Sequence, residues 1–215
     1  MDDLARARVS NIELTDTLIK SRVAWKFAVL RQAFTYRLVD LGETTIEAWN
    51  NDNLLSSVVL ARAFFETVAI VHSVTMRMQK AVDSRNIGAL DDLAMQESFG
   101  ARLAEWVAET GLRATNVLTA LDHMSSEIDF AREFYERISE TAHPNAFGTQ
   151  QFYATIDPEN VVVHFSRTKR ERAAIFAQIN VSLFCSSWAA EKFKKFDRLI
   201  EQVADLHAEL EAANS

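Results

Sequence analysis

Apolar residues recur at helical spacing over most of this chain. Val23, Phe27, Leu30, Phe34 and Leu38 follow one another at three- and four-residue steps with Arg and Gln between them, which predicts one or two long helices over residues 4–50. The Asn50-Asn51-Asp52-Asn53 cluster then favours a turn, because these side chains bond their own backbone more readily than they support a helix interior. The next segment, 54–78, is apolar on nearly all sides and is expected to be the central helix of a bundle. Its few polar residues, Arg62, Glu66 and His72, stand out because buried ionisable groups are costly unless paired. Arg62 and Glu66 lie four apart and can pair with each other, or Glu66 can brace a group on a neighbouring helix. His72 shares a face with Phe65 and Val68 and reads as a core histidine.

Shorter helices are predicted over 89–109, with a break at Gly100, and over 114–123. Ser126-Glu-Ile-Asp129 has the form of a helix start, opening a helix whose stripe is Ile128, Ala131, Tyr135, Ile138 and Ala142. Between 150 and 166 the period changes. Phe152, Ala154 and Ile156 alternate with polar neighbours, Asp157-Pro-Glu-Asn160 is turn chemistry, and Val161-Val-Val-His-Phe165 is β-branched. That is a β-hairpin pattern, and a lone hairpin is expected to lie against the bundle. From Thr168, with Glu171 completing a capping box, a final helix runs to about Ala212. With no repeat, low-complexity tract or linker, the chain reads as one domain over 1–215. The expected fold is all-α, an antiparallel up-and-down helical bundle with a small β-hairpin insertion.

Composition narrows the class. Five Gly and two Pro in 215 residues are few breakers, and 48% hydrophobic with 25% charged residues fits a compact helical protein. A net charge of −7 argues against a broad nucleic-acid-coating surface, so any polyanion would have to meet a local basic patch. The single Cys185 cannot form an internal disulfide and is expected to be a buried, inert thiol. No Cys/His cluster has zinc spacing, so neither metal nor cofactor is expected. The N-terminus lacks a signal-peptide pattern and no apolar run reads as a bilayer span. The expectation is a cytoplasmic protein without a membrane partner.

One segment carries chemistry: Arg137-Ile-Ser-Glu-Thr-Ala-His143-Pro144-Asn145. Pro144 disfavours helical dihedrals at His143 and ends the helix near Ala142, so the imidazole hangs at a helix C-terminus. There the macrodipole favours its protonated form. Arg137, nearly two turns earlier, presents a planar fork suited to phosphate oxygens. A permanent cation with a histidine titrating near neutrality is what metal-free transphosphorylation of RNA requires: one group steadies the phosphorane while the other moves protons. The same pair could instead tie a helix end to its neighbour.

Ala61-Arg62-Ala-Phe-Phe-Glu66 in a central helix, followed by Tyr135-Glu-Arg137-Ile-Ser-Glu-Thr-Ala-His143-Pro144-Asn145, resembles the HEPN superfamily of helical-bundle proteins. The likeness covers roughly residues 54–148 and is closest to an uncharacterised bacterial branch with an Arg-x-x-x-Glu helix and a Ser-Glu-x-x-His-Pro-Asn helix end. The resemblance implies metal-independent endoribonucleases marked by Arg-x4–6-His, with two copies commonly meeting across a dimer interface. It makes Arg137 and His143 the catalytic candidates and Glu66 an orienting group, with Arg62 and Asn145 in support. One position departs from the pattern: Ile138 follows Arg137 where active members usually carry Asn or Asp. Members that have lost catalysis serve as binding or scaffolding modules.

A second basic feature is the cluster of Arg167, Lys169, Arg170 and Arg172 at the start of the last helix. Basic residues there oppose the helix dipole, and on an acidic protein they form a candidate phosphate track. The plainer reading is a solvated helix end. Three functions therefore stand side by side. The first is a HEPN-like endoribonuclease or RNA-binding protein of a prokaryotic defence or stress system, acting as a homodimer on single-stranded RNA or a nucleotide. The others are a non-catalytic HEPN-type interaction module and a small-molecule-sensing bundle built on the Arg62/Glu66/His72 interior. No feature of the chain names a cognate antitoxin-like protein.

Overall fold

A computed structural model describes residues 1–13, 18, 21–167 and 172–213. The elements in order are α1 (Asp2–Arg6), α2 (Arg22–Asn50), α3 (Leu54–Asp83), α4 (Ile87–Phe99), α5 (Ala104–Thr110), α6 (Val117–Ser125), α7 (Ala131–Ala142), α8 (Gln150–Tyr153), β1 (Ala154–Asp157), β2 (Val162–Phe165) and α9 (Arg172–Ala213). The architecture is an all-α bundle with a two-stranded antiparallel hairpin inserted before the last helix.

The long helix of the first segment starts at Arg22 rather than near Leu4, because Ser21 caps it: its Oγ accepts from the Ala24 N–H at 3.1 Å. The Asn50–Asn53 turn forms as expected, with Asp52 in the left-handed region at φ 56°. The apolar surround of α3 puts it at the centre, packed against α2, α9, α6, α7 and α4. Phe64, Phe65, Val68, Ala69, Val71, Val74 and Met78 are all fully buried. Three groups of core residues stack along it. Near its middle Phe65 and Val68 meet Leu121, Met124, Tyr135 and Phe193; toward its C-terminus Val74 and Met78 meet Phe27, Leu90, Phe196 and Val203. At its N-terminal end Leu54, Val58 and Ala61 meet Ile138, Phe152, Ile175 and Ile179. Each buried Phe contributes roughly 2–3 kcal/mol by area removed from water.

The break at Gly100 is present, and its cause is close backbone approach: a Cβ there would stand 2.3 Å from the Gln96 carbonyl oxygen. Two expectations need correction. Ser126 does not open a helix; its hydroxyl donates to the His123 carbonyl at 2.7 Å and finishes α6, while α7 begins at Ala131 without a side-chain cap. The hairpin forms in the expected place, with Ile156 opposite Val163, but it does not lie against the bundle. Ile156 is 64% exposed, Phe165 74% and Val161 88%. Its strands are held instead by each other and at their base by Phe152 of α8, which is buried in the third core group. With Phe152 and Tyr153 as aromatic anchors just before β1, the short strands project from the bundle.

α9, at 42 residues, spans about 63 Å. By length and composition α3 and α9 are each long and apolar enough to cross a membrane. The apolar residues of α3 form the core described above, whereas the N-terminal half of α9 leaves Phe176 and Phe184 largely exposed.

Candidate functional site

The Arg137–His143 segment is the C-terminal half of α7 and its cap. Ala131, Tyr135, Ile138 and Thr141 face inward, so Glu133, Glu136, Arg137 and Glu140 face solvent. Arg137 donates from Nη2 to Glu133 Oε1 at 2.6 Å, one turn back, in a pair exposed on both sides (74% and 66%). In that setting an ion pair is weak and readily exchanged for another anion. His143 is the C-cap residue, extended at φ −78° and ψ 150°, with its backbone N–H donating to the Ser139 carbonyl at 2.9 Å. Its imidazole is exposed and makes no hydrogen bond or ion pair among the described residues. Six residues at roughly 100° and 1.5 Å each put the two positions about 9 Å apart along the axis and about 120° apart around it.

The loop after His143 is fixed by Asn145. Its Oδ1 accepts from the Phe147 and Gly148 N–H groups at 3.0 and 3.1 Å, while Nδ2 donates to Glu140 Oε2 at 2.7 Å. Gly148 is buried against the helix end, where a Cβ would lie 2.0 Å from the His143 carbonyl oxygen and 2.7 Å from that of Thr141. Asn145 and Gly148 together clasp the loop onto the helix terminus and so hold the His143 backbone.

Glu66 and Arg62 form a separate constellation with Tyr135. Arg62 Nη2 lies 3.1 Å from Glu66 Oε1 and donates to the Tyr135 hydroxyl at 3.0 Å, and that hydroxyl donates to Glu66 Oε1 at 3.0 Å. The guanidinium also stands 5.4 Å from the Tyr135 ring centroid, and its buried Nε has no acceptor. This triangle joins α3 to α7. Tyr135 was legible in the sequence only as part of an apolar stripe; the Arg-x-x-x-Glu spacing on α3 was the one sign that a polar partner was needed.

Arg167 donates to Asn53 Oδ1 at 2.7 Å. Arg172 pairs with Asp52 and lies 4.6 Å over the Trp49 ring. These two arginines thus brace the turn between α2 and α3. Lys169 and Arg170, the other members of the candidate phosphate track, lie outside the described residues.

Away from this end of the molecule, a cleft of about 540 Å³ runs along α3 from His72 to Ser84, with Glu127, Lys192 and Lys195 on its other wall. His72 is 2% exposed and its Nε2 sits 3.2 Å from the His123 carbonyl oxygen. Burial first, and then Lys192, lower the pKa of His72 below the ordinary value. Glu127 is lowered mainly by its hydrogen bond from Lys192. Burial pushes the Cys185 thiol up to about 11, so its thiolate is scarce at neutral pH. Among the described residues no three His, Cys, Asp or Glu side chains converge as a metal-binding group.

Compared with models of known families, with curated proteins and with solved structures, the chain matches none of them.

Proposed function

We propose that the protein is a HEPN-like helical bundle that acts on RNA at the end of α7, cleaving a phosphodiester without a metal. The observation that carries the reading is the solvent exposure of both Arg137 and His143, on a helix end whose backbone is clasped by Asn145 and Gly148. The guanidinium is held only by a surface carboxylate and the imidazole by nothing among the described residues, so each is available to RNA. The 2′-oxygen attacks phosphorus and the bond to the 5′-oxygen breaks, leaving a 2′,3′-cyclic phosphate and a 5′-hydroxyl. His143 moves the proton between these oxygens while Arg137 balances charge on the phosphorane.

The same reading includes a homodimer. Ala173, Ala177, Asn180, Phe184 and Ser187 recur at four- and three-residue steps along the exposed side of α9, a spacing suited to a second helix. Phe184 is 80% exposed in mid-helix. The end of α7 adjoins this part of α9, with Gln178 donating to Thr141 Oγ1 at 3.4 Å and Ile138 packed among Ile175 and Ile179. A second copy on that face would join the two bundles along α9, on the side of the helix facing away from Ile175 and Ile179. Such an assembly fits the prokaryotic defence or stress role that the motif resemblance implies.

The test is cleavage of labelled single-stranded RNA in EDTA. His143→Ala is expected to lower the rate by on the order of 100-fold or more. Arg137→Lys should also fail, because a point charge does not reproduce a bidentate fork. A second reading, RNA binding without cleavage, is favoured by Ile138, which is fully buried and so leaves no polar side chain beside Arg137 at that position. Retention of RNA with no cut in EDTA, and loss of retention in Arg137→Ala, would select it.

A further inference from the structure

The cleft along α3 contains two acceptors that face each other without a donor. His72 Nε2 lies beside a carbonyl oxygen, which can only accept, so Nε2 carries the hydrogen and Nδ1 presents a lone pair. Nδ1 is buried with no hydrogen-bond partner and stands 3.9 Å from Glu127 Oε1. That separation is too long for a hydrogen bond between them. Glu127 binds Lys192 through its other oxygen, Oε2, so Oε1 likewise lacks a hydrogen-bond donor among the described residues. The Lys192 ammonium is further held 4.7 Å over the Trp188 ring, and the His72 ring stacks on the same indole at 4.9 Å. The acceptor pair is therefore fixed in place from behind.

A nitrogen placed about 2.8 Å from each of two acceptors 3.9 Å apart subtends an angle near 90°. A primary ammonium, with hydrogens about 109° apart, satisfies both with little distortion, whereas a hydroxyl has only one hydrogen to give. Lys195 lines the same cleft and is close enough to act electrostatically on Glu127. Lys195 and Lys80 form no ion pair within 4.0 Å among the described residues, on a chain whose net charge is −7. Met76 and Thr75, whose hydroxyl is turned to the Val71 carbonyl, also line the cleft.

We propose that this cleft binds the zwitterion of an α-amino acid, with its ammonium bridging His72 Nδ1 and Glu127 Oε1 and its carboxylate held by Lys195. The side chain of the ligand runs over Thr75 and Met76 toward Lys80. A ligand so placed touches α3, α9 and the segment joining α6 to α7, and thus spans three parts of the bundle. The site stands apart from the Arg137–His143 helix end and does not depend on the RNA reading.

Saturation-transfer NMR on the full chain, with each proteinogenic amino acid in turn at about 10 mM, tests the proposal; a Kd near 1 mM gives nearly full occupancy there. At least one amino acid is expected to show transfer to its side-chain protons. Its N-acetyl derivative, which lacks the ammonium, and its amide, which lacks the carboxylate, should each bind at least about 10-fold more weakly. Lys195→Ala and Glu127→Gln, both at solvent-reached positions and checked for fold by circular dichroism, should weaken binding by a similar factor. Absence of transfer from every amino acid would overturn the proposal. So would equal binding by the N-acetyl derivative, or binding unchanged in both variants.

Discussion

Removing Glu66 should destabilise the protein by an amount that its triangle with Arg62 and Tyr135 sets. In Glu66→Ala the Tyr135 hydroxyl loses an acceptor at 3.0 Å and the Arg62 guanidinium loses a carboxylate at 3.1 Å. A hydrogen bond to a charged group contributes roughly 1.5–3 kcal/mol. Stranding a fully buried cation would cost about 3–5 kcal/mol, but these side chains are 23% and 24% exposed, so water recovers part of that loss. Arg62 already has an unpartnered Nε, which leaves it little alternative bonding inside the protein. The expected cost is about 2 kcal/mol, and at 2–4 °C per kcal/mol for a chain of this size the Tm should fall by roughly 4–8 °C. Tyr135→Phe removes only the bridging hydroxyl and should cost about 1 kcal/mol. Because the groups share one network, Glu66→Ala and Tyr135→Phe should be non-additive, the double variant costing less than the sum. Differential scanning calorimetry on the four proteins closes the cycle. A Glu66→Ala protein melting at the wild-type temperature, or strict additivity, would refute the claim that the triangle joins α3 to α7.

Three other outcomes are expected. Gly148→Ala should destabilise by about 1–3 kcal/mol, because the new Cβ meets the backbone oxygens of His143 and Thr141 rather than a movable side chain; chemical denaturation measures it, and an unchanged midpoint would mean the clasp is loose. His72 has a folded-state pKa depressed below the unfolded value, so stability from its neutral form is full above about pH 6.5 and is lost as pH falls toward the folded value. His72→Gln should therefore show a shallower fall in Tm between about pH 7 and pH 5 than the wild type, with Lys192, Glu127 and His123 as the neighbouring charges; parallel slopes would contradict this. Phe184→Lys should convert a dimer to a monomer in light scattering at micromolar concentration without lowering helix content, and a wild-type monomer under those conditions would remove the α9 interface.

The parts of the fold that were legible in the sequence are those with a single physical cause. The all-round apolar character of α3 required a central position, and the Asn50–Asn53 run and Gly100 marked breaks through local backbone chemistry. Ser126 misled because a hydroxyl near a helix end can accept from the following amides or donate to the preceding carbonyls, and its sequence context does not distinguish the two. The hairpin pattern specified pairing but not docking: strand alternation says which side chains share a face, while Phe152 and Tyr153 before β1 make the contact with the core. The Arg62–Glu66 pair was legible from its four-residue spacing, while Tyr135 was not, since its ring follows the apolar stripe and only its hydroxyl reaches the pair. For His72, apolar neighbours indicated burial, but the facing Glu127 is remote in sequence and the open acceptor pair exists only in three dimensions.

These distinctions bear on what the Arg137–His143 motif is for. Asn145 closes the loop through two backbone amides and Glu140, and Gly148 permits a backbone approach that any side chain would block. Pro144 ends the helix, and Ile138 fills the core. Packing and turn geometry thus account for these four residues with no reference to a ligand. They do not account for the imidazole of His143, which bonds to nothing among the described residues, or for a guanidinium at 137, where pairing with Glu133 needs only a cation. An alanine at 143 would leave every backbone contact of the clasp in place. Of the motif's side chains, the Arg137 fork and the His143 imidazole are the two that packing and turn geometry leave unexplained, and the proposed RNA phosphodiester would engage them.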